Sequence, residues 1–465
     1  MLLPSWKTGF SQIIRAVTIL SFLAGWAFTQ KGAAQTIIQK RDPEIAKMAQ
    51  EVSADSIERL IRKLVSFHTR HSMSNTTDAK KGIGAARRWI KAEFERYARA
   101  SGGRLRVELA PFAVQPDGRR VTRAVTMKNV LAILQGTDPV DNRVFIISGH
   151  YDSRASNPLD STSFAPGAND DASGTAVVME LARVMSQRAF PATIIFAAVA
   201  GEEQGLYGSK HLAQRAKDEG WNVVAMITND VVGNTISSGT NLKDNLRVRV
   251  FSEGVPENET ERQARIRRSV GGENDYPARQ FARYIKEVGE RYVDQMTVVM
   301  IYRRDRFLRG GDHTPFSQLG FAAVRITEMN EDYRHQHQDV RTENGVQYGD
   351  LPEFVDFGYA AQVARVNLAT LANLALAPGQ PRDVGIVVSR LTNFTTLRWS
   401  PPEQGKPAGY YVLIRETTSP VWQRKFFVSD TTVTLPYSKD NFFFAVQSVD
   451  AKGHESLPVF PRPVR

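Results

Sequence analysis

Residues 192–200 read Ala-Thr-Ile-Ile-Phe-Ala-Ala-Val-Ala, and this run decides the fold of the chain. Eight of its nine residues are apolar, so a strand built from it has no polar face to turn toward water. Such a strand has to be covered on both sides, as happens in a parallel sheet that lies between helices. The next three residues are Gly201, Glu202 and Glu203, which places polar side chains at the carboxyl end of this buried strand.

The segments on either side of this run alternate between helical and strand patterns. Helical spacing of apolar residues over 173–188 and 206–219 flanks the run, and strand-like segments occupy 107–114, 129–134, 144–148 and 223–228. Two further amphipathic helices are predicted at 53–67 and 79–100, before the first strand. This alternation predicts an α/β domain with a mostly parallel sheet flanked by helices.

The pattern changes after residue 378. A helical segment over 359–377 ends at Pro378-Gly379, and six β-rich runs follow before the end of the chain. Short strands at this density predict a small C-terminal β-sandwich over 379–465. A tryptophan at position 399 before Pro401 and the apolar run 442–449 resemble fibronectin type III modules. Because 380–465 hold no ionisable cluster suited to catalysis, we expect the catalytic part, residues 35–378, to fold and act without them.

Residues 1–34 have the pattern of a secretory signal peptide. Lys7 and Arg15 precede an apolar run over 16–28, and small residues follow at 32–34. The apolar run is shorter than the roughly 20 residues that cross a bilayer, and an uncleaved N-terminal anchor is the alternative. A secreted chain without cysteine fits bacterial export, so we expect a periplasmic or extracellular protein with no membrane contact beyond export.

The composition excludes several classes of function. The chain of 465 residues has no cysteine, which excludes thiol catalysis, cysteine-ligated zinc, iron–sulfur clusters and disulfides. Lysine and arginine total 60 against 49 acidic residues, a formal charge of +11. The densest basic cluster, at 262–268, has no interleaved aromatic residue and is typical of a solvated face, so we expect no nucleic-acid partner.

Two motifs place metal-binding residue types near the predicted strand ends. Residues 146–152 read Ile-Ile-Ser-Gly-His-Tyr-Asp, so His150 and Asp152 emerge at the carboxyl edge where open α/β sheets place ligand sites. Residues 169–171 are Asn-Asp-Asp at the start of the helix predicted at 173–188. Taken alone, Asp170 and Asp171 could equally cap that helix.

The remaining motifs favour a metal. Adjacent Glu202 and Glu203 at the end of a buried strand are costly unless they are paired or bind a cation. The strand at 223–228 leads to Asp230, and the segment 333–339 supplies His335 and His337. Imidazoles and carboxylates together suit zinc. Each motif is weak alone, but jointly they predict a metal centre at one edge of the sheet.

In order, spacing and flanking residues, these motifs resemble the co-catalytic di-zinc aminopeptidases of zinc metallopeptidase family 28. The resemblance covers about residues 50–375. It implies a mixed eight-stranded sheet between helices, two zinc ions per chain and hydrolysis of peptides from the free amino end. The ligand set it implies is His150 and Asp230 for one ion, Glu203 and His335 for the other, and Asp170 as the bridge between both.

The resemblance also implies roles for residues that do not bind metal. Glu202 would be the general acid/base, and Asp152 would hold the ring of His150. A cis peptide bond is expected between the residues that match Asp170 and Asp171. Such a division of roles makes chemical sense, because an unligated carboxylate can take a proton from water and pass it to the leaving amine.

At two places the sequence departs from the family pattern or leaves it ambiguous. His337 is the rival of His335, which we choose because the family places the ligand four residues before Asp339. Leu308 stands where some relatives carry a tyrosine that helps polarise the carbonyl, and Tyr302 is the candidate to replace it.

The sequence thus predicts a secreted zinc metallo-aminopeptidase acting on peptides or proteins with free N-termini. Water activated by the metals would be the nucleophile, and a glutamate the base. The alternatives are a dipeptidase or carboxypeptidase, a glutaminyl cyclase on the same fold, or a binding protein that has lost its metals. The complete ligand set argues against the last two. The sequence holds no His-Glu-x-x-His, Gly-x-Ser-x-Gly or P-loop motif.

Overall fold

An eight-stranded mixed sheet with helices on both faces forms the main part of the protein, as the sequence predicts. The computed structural model describes residues 41–465 except Asn241 and Arg390, so the predicted signal peptide at 1–34 lies outside the described residues. The helices are α1 (Pro43–Glu51), α2 (Ala54–Val65), α3 (Gly82–Arg99), α4 (Ala172–Met185), α5 (Glu202–Gly205), α6 (Tyr207–Asp218), α7 (Glu261–Val270), α8 (Pro277–Tyr292), α9 (His313–Gln318) and α10 (Phe357–Leu376). Within the described chain, no helix is both long and apolar enough to cross a membrane.

The strands fall into one large and three small sheets. They are β1 (Leu105–Val114), β2 (Val125–Leu134), β3 (Arg143–His150), β4 (Thr193–Val199), β5 (Asn222–Asn229), β6 (Arg247–Ser252), β7 (Thr297–Ile301), β8 (Ala323–Glu328), β9 (Arg341–Glu343), β10 (Val346–Tyr348), β11 (Arg382–Val387), β12 (Thr395–Ser400), β13 (Gly409–Glu416), β14 (Arg424–Val428), β15 (Thr432–Leu435), β16 (Phe442–Val449) and β17 (Arg462–Val464). The large sheet has the order β1-β2-β4-β3-β5-β8-β6-β7, and β9 pairs with β10.

The four central strands of the large sheet run parallel. These are β4, β3, β5 and β8, whereas β1 and β2 at one side are antiparallel, and β6 and β7 run against β8. Because parallel strands all point the same way, the carboxyl ends of β3, β4, β5 and β8 meet at one edge of the sheet. This is the edge at which open α/β sheets bind ligands.

The apolar run 192–200 forms the buried strand β4, and its alternate residues enter two different cores. Ile194 and Phe196 pack into a large cluster with α2, α4 and α10, while Ile195 and Ala197 pack with α6 and α9 on the other face. All four side chains are nearly inaccessible to solvent. The absence of a polar face in this run is therefore explained by helices on both sides of the sheet.

The C-terminal strands form two small sheets that face each other, which agrees with the predicted sandwich. One sheet has the order β15-β12-β11-β17 and the other β14-β13-β16. Leu397 and Trp399 from the first share a hydrophobic cluster with Val412 and Phe444 from the second. The closer resemblance to fibronectin type III modules stays a prediction.

Buried charged groups join the C-terminal sheets to α8 of the large domain. Asp275, just before α8, accepts hydrogen bonds from Arg283 at 3.2 Å and from Arg415 of β13 at 2.6 Å. Glu455, beyond β16, is bound by Arg291 of α8 at 3.1 Å. The side chains of Asp275, Arg283 and Arg415 are each at most 3% exposed, so water does not compensate for a lost partner.

We predict that Asp275→Ala strongly destabilises the protein. The substitution leaves the guanidinium groups of Arg283 and Arg415 buried without their carboxylate. Removing one partner of a buried ion pair costs ~3–5 kcal/mol, and we expect the free energy of unfolding in denaturant to fall by that amount. The control is Asp294→Asn, which removes an ion pair between Arg41 and Asp294. Because the Asp294 side chain is 76% exposed, we expect this substitution to leave the free energy of unfolding unchanged. Equal effects of the two substitutions would contradict the buried network.

Candidate metal centre

The ends of three neighbouring strands carry the residues that the sequence singles out. His150 is the last residue of β3, Glu202 and Glu203 follow β4 in the short helix α5, and Asp230 directly follows β5. In the sheet, His150 pairs with Val199 of β4, and Ser148 pairs with Thr228 of β5. The predicted convergence of these side chains at one sheet edge is thus present in the structure.

Five side chains form two groups that could each hold a metal ion. His150, Asp170 and Asp230 make up the first group, and Asp170, Glu203 and His337 make up the second. Asp170 belongs to both, since its Oδ1 lies 3.2 Å from His150 Nε2 and its Oδ2 lies 2.9 Å from His337 Nε2. Glu203 Oε1 is 3.1 Å from His337 Nε2, and Asp230 Oδ1 is 3.9 Å from His150 Nε2.

The structure places His337 in the second group, and the prediction of His335 for that position is wrong. His335 stacks on the ring of Phe354 with 3.7 Å between ring centroids, and its Nδ1 lies 3.9 Å from Asp332. His337 has a φ of 56°, so the chain bends there and carries its imidazole toward Asp170. Between the two histidines, Gln336 donates a hydrogen bond of 2.8 Å to Asp170 Oδ2.

The Asp152 carboxylate lies beside the His150 ring, but its hydrogen bonds go to the backbone around Glu202 and Glu203. Its Oδ1 lies 3.6 Å from His150 Nδ1, whose hydrogen bond goes instead to the Asp152 backbone carbonyl at 3.2 Å. The same carboxylate accepts backbone N–H bonds from Gly201 at 3.0 Å and from Glu203 at 3.2 Å. Asp152 therefore fixes the ends of β3 and β4 relative to each other.

The sequence left open whether Asp170 and Asp171 cap a helix or face a metal site. In the structure Asp171 caps α4, and Asp170 belongs to both groups. Asp171 is the N-cap of α4, accepting from Gly174 N at 2.9 Å, and it also accepts from His150 N at 2.9 Å. Asp170 points instead to the two histidines. The peptide bond between Asp170 and Asp171 is cis, as the family resemblance implies.

Two further buried residues contact members of the two groups, and sequence reasoning missed both. Asp350 accepts backbone N–H bonds from Asn169 at 2.8 Å and from Asp170 at 2.7 Å, and burial raises the pKa of Asp350 to about 7. Arg325, near the start of β8, lies 2.8 Å from Asp230 Oδ2. Neither residue stands in a recognisable motif, and each reaches the centre from a distant part of the chain.

The electrostatics of the centre favour positive charge. Burial opposes protonation of His337, but Glu203 and Asp170 outweigh it and raise the pKa of His337 to about 10. Burial similarly opposes ionisation of Asp170, yet His337 and His150 hold the pKa of that carboxyl well below its usual range. Burial raises the pKa of Glu202 well above its ordinary value. The carboxylates thus create a negative electrostatic potential that favours the binding of a divalent cation.

The donor atoms present fit metal ions. His150 Nε2 is buried and makes no hydrogen bond with any described residue, although it points at Asp170 and Asp230. An imidazole nitrogen in this setting is an available ligand, and buried polar atoms without partners are rare. The two groups offer only imidazole and carboxylate ligands, which suit zinc.

Tyr302 and Leu308 contribute no atom to either of the two groups. The Tyr302 hydroxyl donates to the carbonyl of Pro420 at 3.2 Å, and the guanidinium of Arg279 lies 3.6 Å from the Tyr302 ring centroid. Leu308 is 90% exposed. Tyr302 is therefore engaged with the C-terminal strands rather than with the predicted metal ligands.

Comparison with known sequences agrees with this geometry. The profile described as "Peptidase family M28" matches residues 129–347, which include both groups of proposed ligands. A "Probable zinc metalloprotease" of Leptosphaeria maculans is 49% identical over 423 residues, which cover 91% of this chain and 97% of the relative. Another of Pyricularia oryzae is 45% identical and covers 91% of this chain and 86% of the relative. Both relatives are fungal, which argues against the bacterial periplasm expected from the sequence.

Solved structures share the fold at low sequence identity. LapB from Legionella pneumophila has a TM-score of 0.53 at 16% identity, over 74% of this chain and 79% of that protein. The Legionella pneumophila LapA aminopeptidase has a TM-score of 0.51 at 19% identity, over 74% of this chain and 78% of that protein. At such identities the likeness extends to the fold alone.

We predict that His337→Ala lowers the bound zinc and that His335→Ala does not. His337 supplies a nitrogen beside Asp170 and Glu203, whereas His335 is stacked on Phe354. Elemental analysis of the two purified variants, with the native protein alongside, measures zinc per chain. Loss of metal from the His335 variant alone would restore the original assignment.

Proposed function

The chain belongs to peptidase family M28 and is a zinc metalloprotease, and from this premise we propose that it is a secreted aminopeptidase that binds two zinc ions at the centre described above. Its substrates would be peptides or proteins with a free N-terminus. The proposed ligands are His150 and Asp230 for one ion, Glu203 and His337 for the other, and Asp170 for both.

One observation carries the proposal. The two oxygens of Asp170 face two different histidines, and each histidine has a second carboxylate near it. A carboxylate placed in this way can bridge two cations and keep them close together. Glu202 lies outside both groups of described residues, so one carboxylate is left for proton transfer.

Two zinc ions bound here would polarise the scissile carbonyl and make a shared water molecule more acidic. Glu202 then has the position and the chemistry of the general base. Its side chain is 14% exposed, and its Oε2 lies 4.0 Å from His150 Nε2. In the proposed reaction, Glu202 takes a proton from the attacking water and delivers it to the leaving amine. Asp152 keeps Glu202 in place through the backbone N–H of Gly201 and Glu203.

The acidic surroundings favour the free amino end of a peptide over the carboxyl end. Besides the proposed ligands, the site holds Asp152, Glu202 and Asp312. Burial raises the pKa of Asp312 to about 7, with Asp230 and Asp152 adding to the effect. A positively charged α-amino group is attracted to such a cluster, and this favours an aminopeptidase over a carboxypeptidase on the same fold.

We propose secretion from the pattern of residues 1–34, with Lys7 and Arg15 at the basic end and an apolar run over 16–28. The fungal origin of the relatives points to export by a eukaryotic route in place of the bacterial one. Detection of the protein in culture medium, with an N-terminus near residue 35, tests this part of the proposal.

We predict opposite consequences for the two adjacent glutamates. Glu202→Gln should keep the metal but lower kcat by about a hundredfold or more, because the base is lost. Glu203→Gln should instead lower the zinc content, because Glu203 lies 3.1 Å from His337 as part of the second group. Steady-state kinetics on leucine p-nitroanilide and elemental analysis of the same preparations separate the two effects. Equal loss of metal in both variants would refute this division of roles.

We also predict close to two zinc ions per chain in the purified protein. Two ions are expected because Asp170 belongs to both groups. Removal of zinc with a chelator should abolish hydrolysis, and added zinc should restore it. A preparation that is fully active with about one zinc ion per chain would contradict the bridging role of Asp170.

A further inference from the structure

A cavity lined by arginines opens beside the proposed metal centre. Its volume is about 650 Å³, and Arg249, Arg303, Arg306 and Arg309 contribute to its lining together with Glu331. Pockets of several hundred Å³ are of the size that holds a small ligand or a side chain. Four guanidinium groups around one cavity attract an anionic ligand.

Glu331 compensates only part of this positive charge. Its carboxylate lies 3.3 Å from Arg249, 3.0 Å from Arg306 and 3.0 Å from Arg309. Arg303 makes no ion pair within the part of the chain that the structure describes, and its guanidinium lies 5.3 Å from the ring centroid of Phe307. Asp305 also pairs with Arg306, at 3.3 Å. Two carboxylates among four guanidinium groups still leave an excess of positive charge, and arginine binds carboxylates with two parallel hydrogen bonds.

The four arginines of this cavity differ in burial, and Arg303 and Arg309 are exposed. The side chains of Arg306 and Glu331 are only 8% and 4% exposed. The protein therefore holds the Arg306 guanidinium in a fixed position, while the Arg303 guanidinium is open to a ligand from solvent.

A chain of ion pairs connects the cavity to the metal centre. Arg306 Nε lies 3.3 Å from Asp305, whose Oδ2 lies 3.6 Å from Arg325, and Arg325 lies 2.8 Å from Asp230. His313, at the start of α9, also holds this segment, since its Nε2 is 2.8 Å from the carbonyl of Arg304. Three successive ion pairs thus separate the Arg306 guanidinium from Asp230.

We propose that this cavity binds a carboxylate of the peptide substrate. The carboxylate comes either from an acidic side chain or from the free C-terminus of a short peptide, which are the anionic groups that a peptide offers. The proposal rests on the proposed peptidase function, and it makes Arg303 the residue that determines selectivity, because Arg303 alone among the four lacks Glu331 as a partner.

Two matched pairs of peptides distinguish the sources of the carboxylate. Glu-Gly-amide against Gln-Gly-amide tests the side chain, and Leu-Gly against Leu-Gly-amide tests the C-terminus. A charged hydrogen-bonded pair should give the anionic member of one pair a kcat/KM about 10-fold or more higher. Raising the salt concentration should reduce this ratio. Ratios near one for both pairs would overturn the proposal.

Variants at the cavity test the assignment to arginine. In Arg303→Gln the ratio for the preferred pair should fall toward one, and in Arg303→Glu it should reverse. The control Arg265→Gln removes an exposed arginine of α7 and should leave the ratio unchanged. An unchanged ratio in both Arg303 variants would also overturn the proposal.

Equilibrium binding separates this inference from the proposed function. Calorimetric titration of the Glu202→Gln protein with the same peptides measures affinity when hydrolysis is slow. Tighter binding of the anionic peptides supports a carboxylate site at the cavity, whether or not the native protein cleaves them. If the native protein cleaves none of them, only the aminopeptidase function is rejected. Cleavage and binding without any preference for a carboxylate reject the inference and leave the function standing.

Discussion

The structure depends on keeping several carboxylates buried close together at one edge of a sheet. Asp170, Glu203 and Asp230 meet within a few ångströms of two histidines, and such a cluster is repulsive unless positive charge is present. The same negative charge raises the pKa of His337 to about 10, because Glu203 and Asp170 favour the protonated imidazole. A divalent cation bound here would relieve this repulsion, so metal binding would stabilise the folded arrangement.

Other carboxylates hold the proposed ligands by binding backbone N–H groups. Asp152 binds the chain at the two glutamates, Asp171 binds His150 N and the start of α4, and Asp350 binds Asp170 N. At Gly149 a Cβ atom would lie 2.5 Å from the backbone of Gly174, so the end of β3 can approach α4 this closely only with glycine. The ligands thus stand on rigid strand ends and helix starts, which favours a fixed geometry for the reaction.

Much of this could be predicted from the sequence, because strand ends and local motifs carry it. The run 192–200 identifies β4, and His150, Asp170, Glu202, Glu203 and Asp230 follow from strand ends and the family pattern. The choice between His335 and His337 fails because it depends on a bend at His337 and on stacking against Phe354. Spacing along the chain contains neither. Asp350 and Arg325 are missed for a related reason, since their contacts are purely tertiary.

The same distinction applies to the C-terminal sheets. The turn at Pro378-Gly379 and the change of pattern predict a separate module, yet the structure adds contacts that no local pattern reveals. Asp42, before α1, lies 3.0 Å from His454, and Tyr284 of α8 donates to the carbonyl of Glu455 at 2.8 Å. A chain that ended near 378 would leave Arg291 of α8 without Glu455. The expectation that the catalytic part folds alone stays a prediction. These contacts on α8 are what such a truncation would remove, and they connect the stability of that helix to the C-terminal sheets.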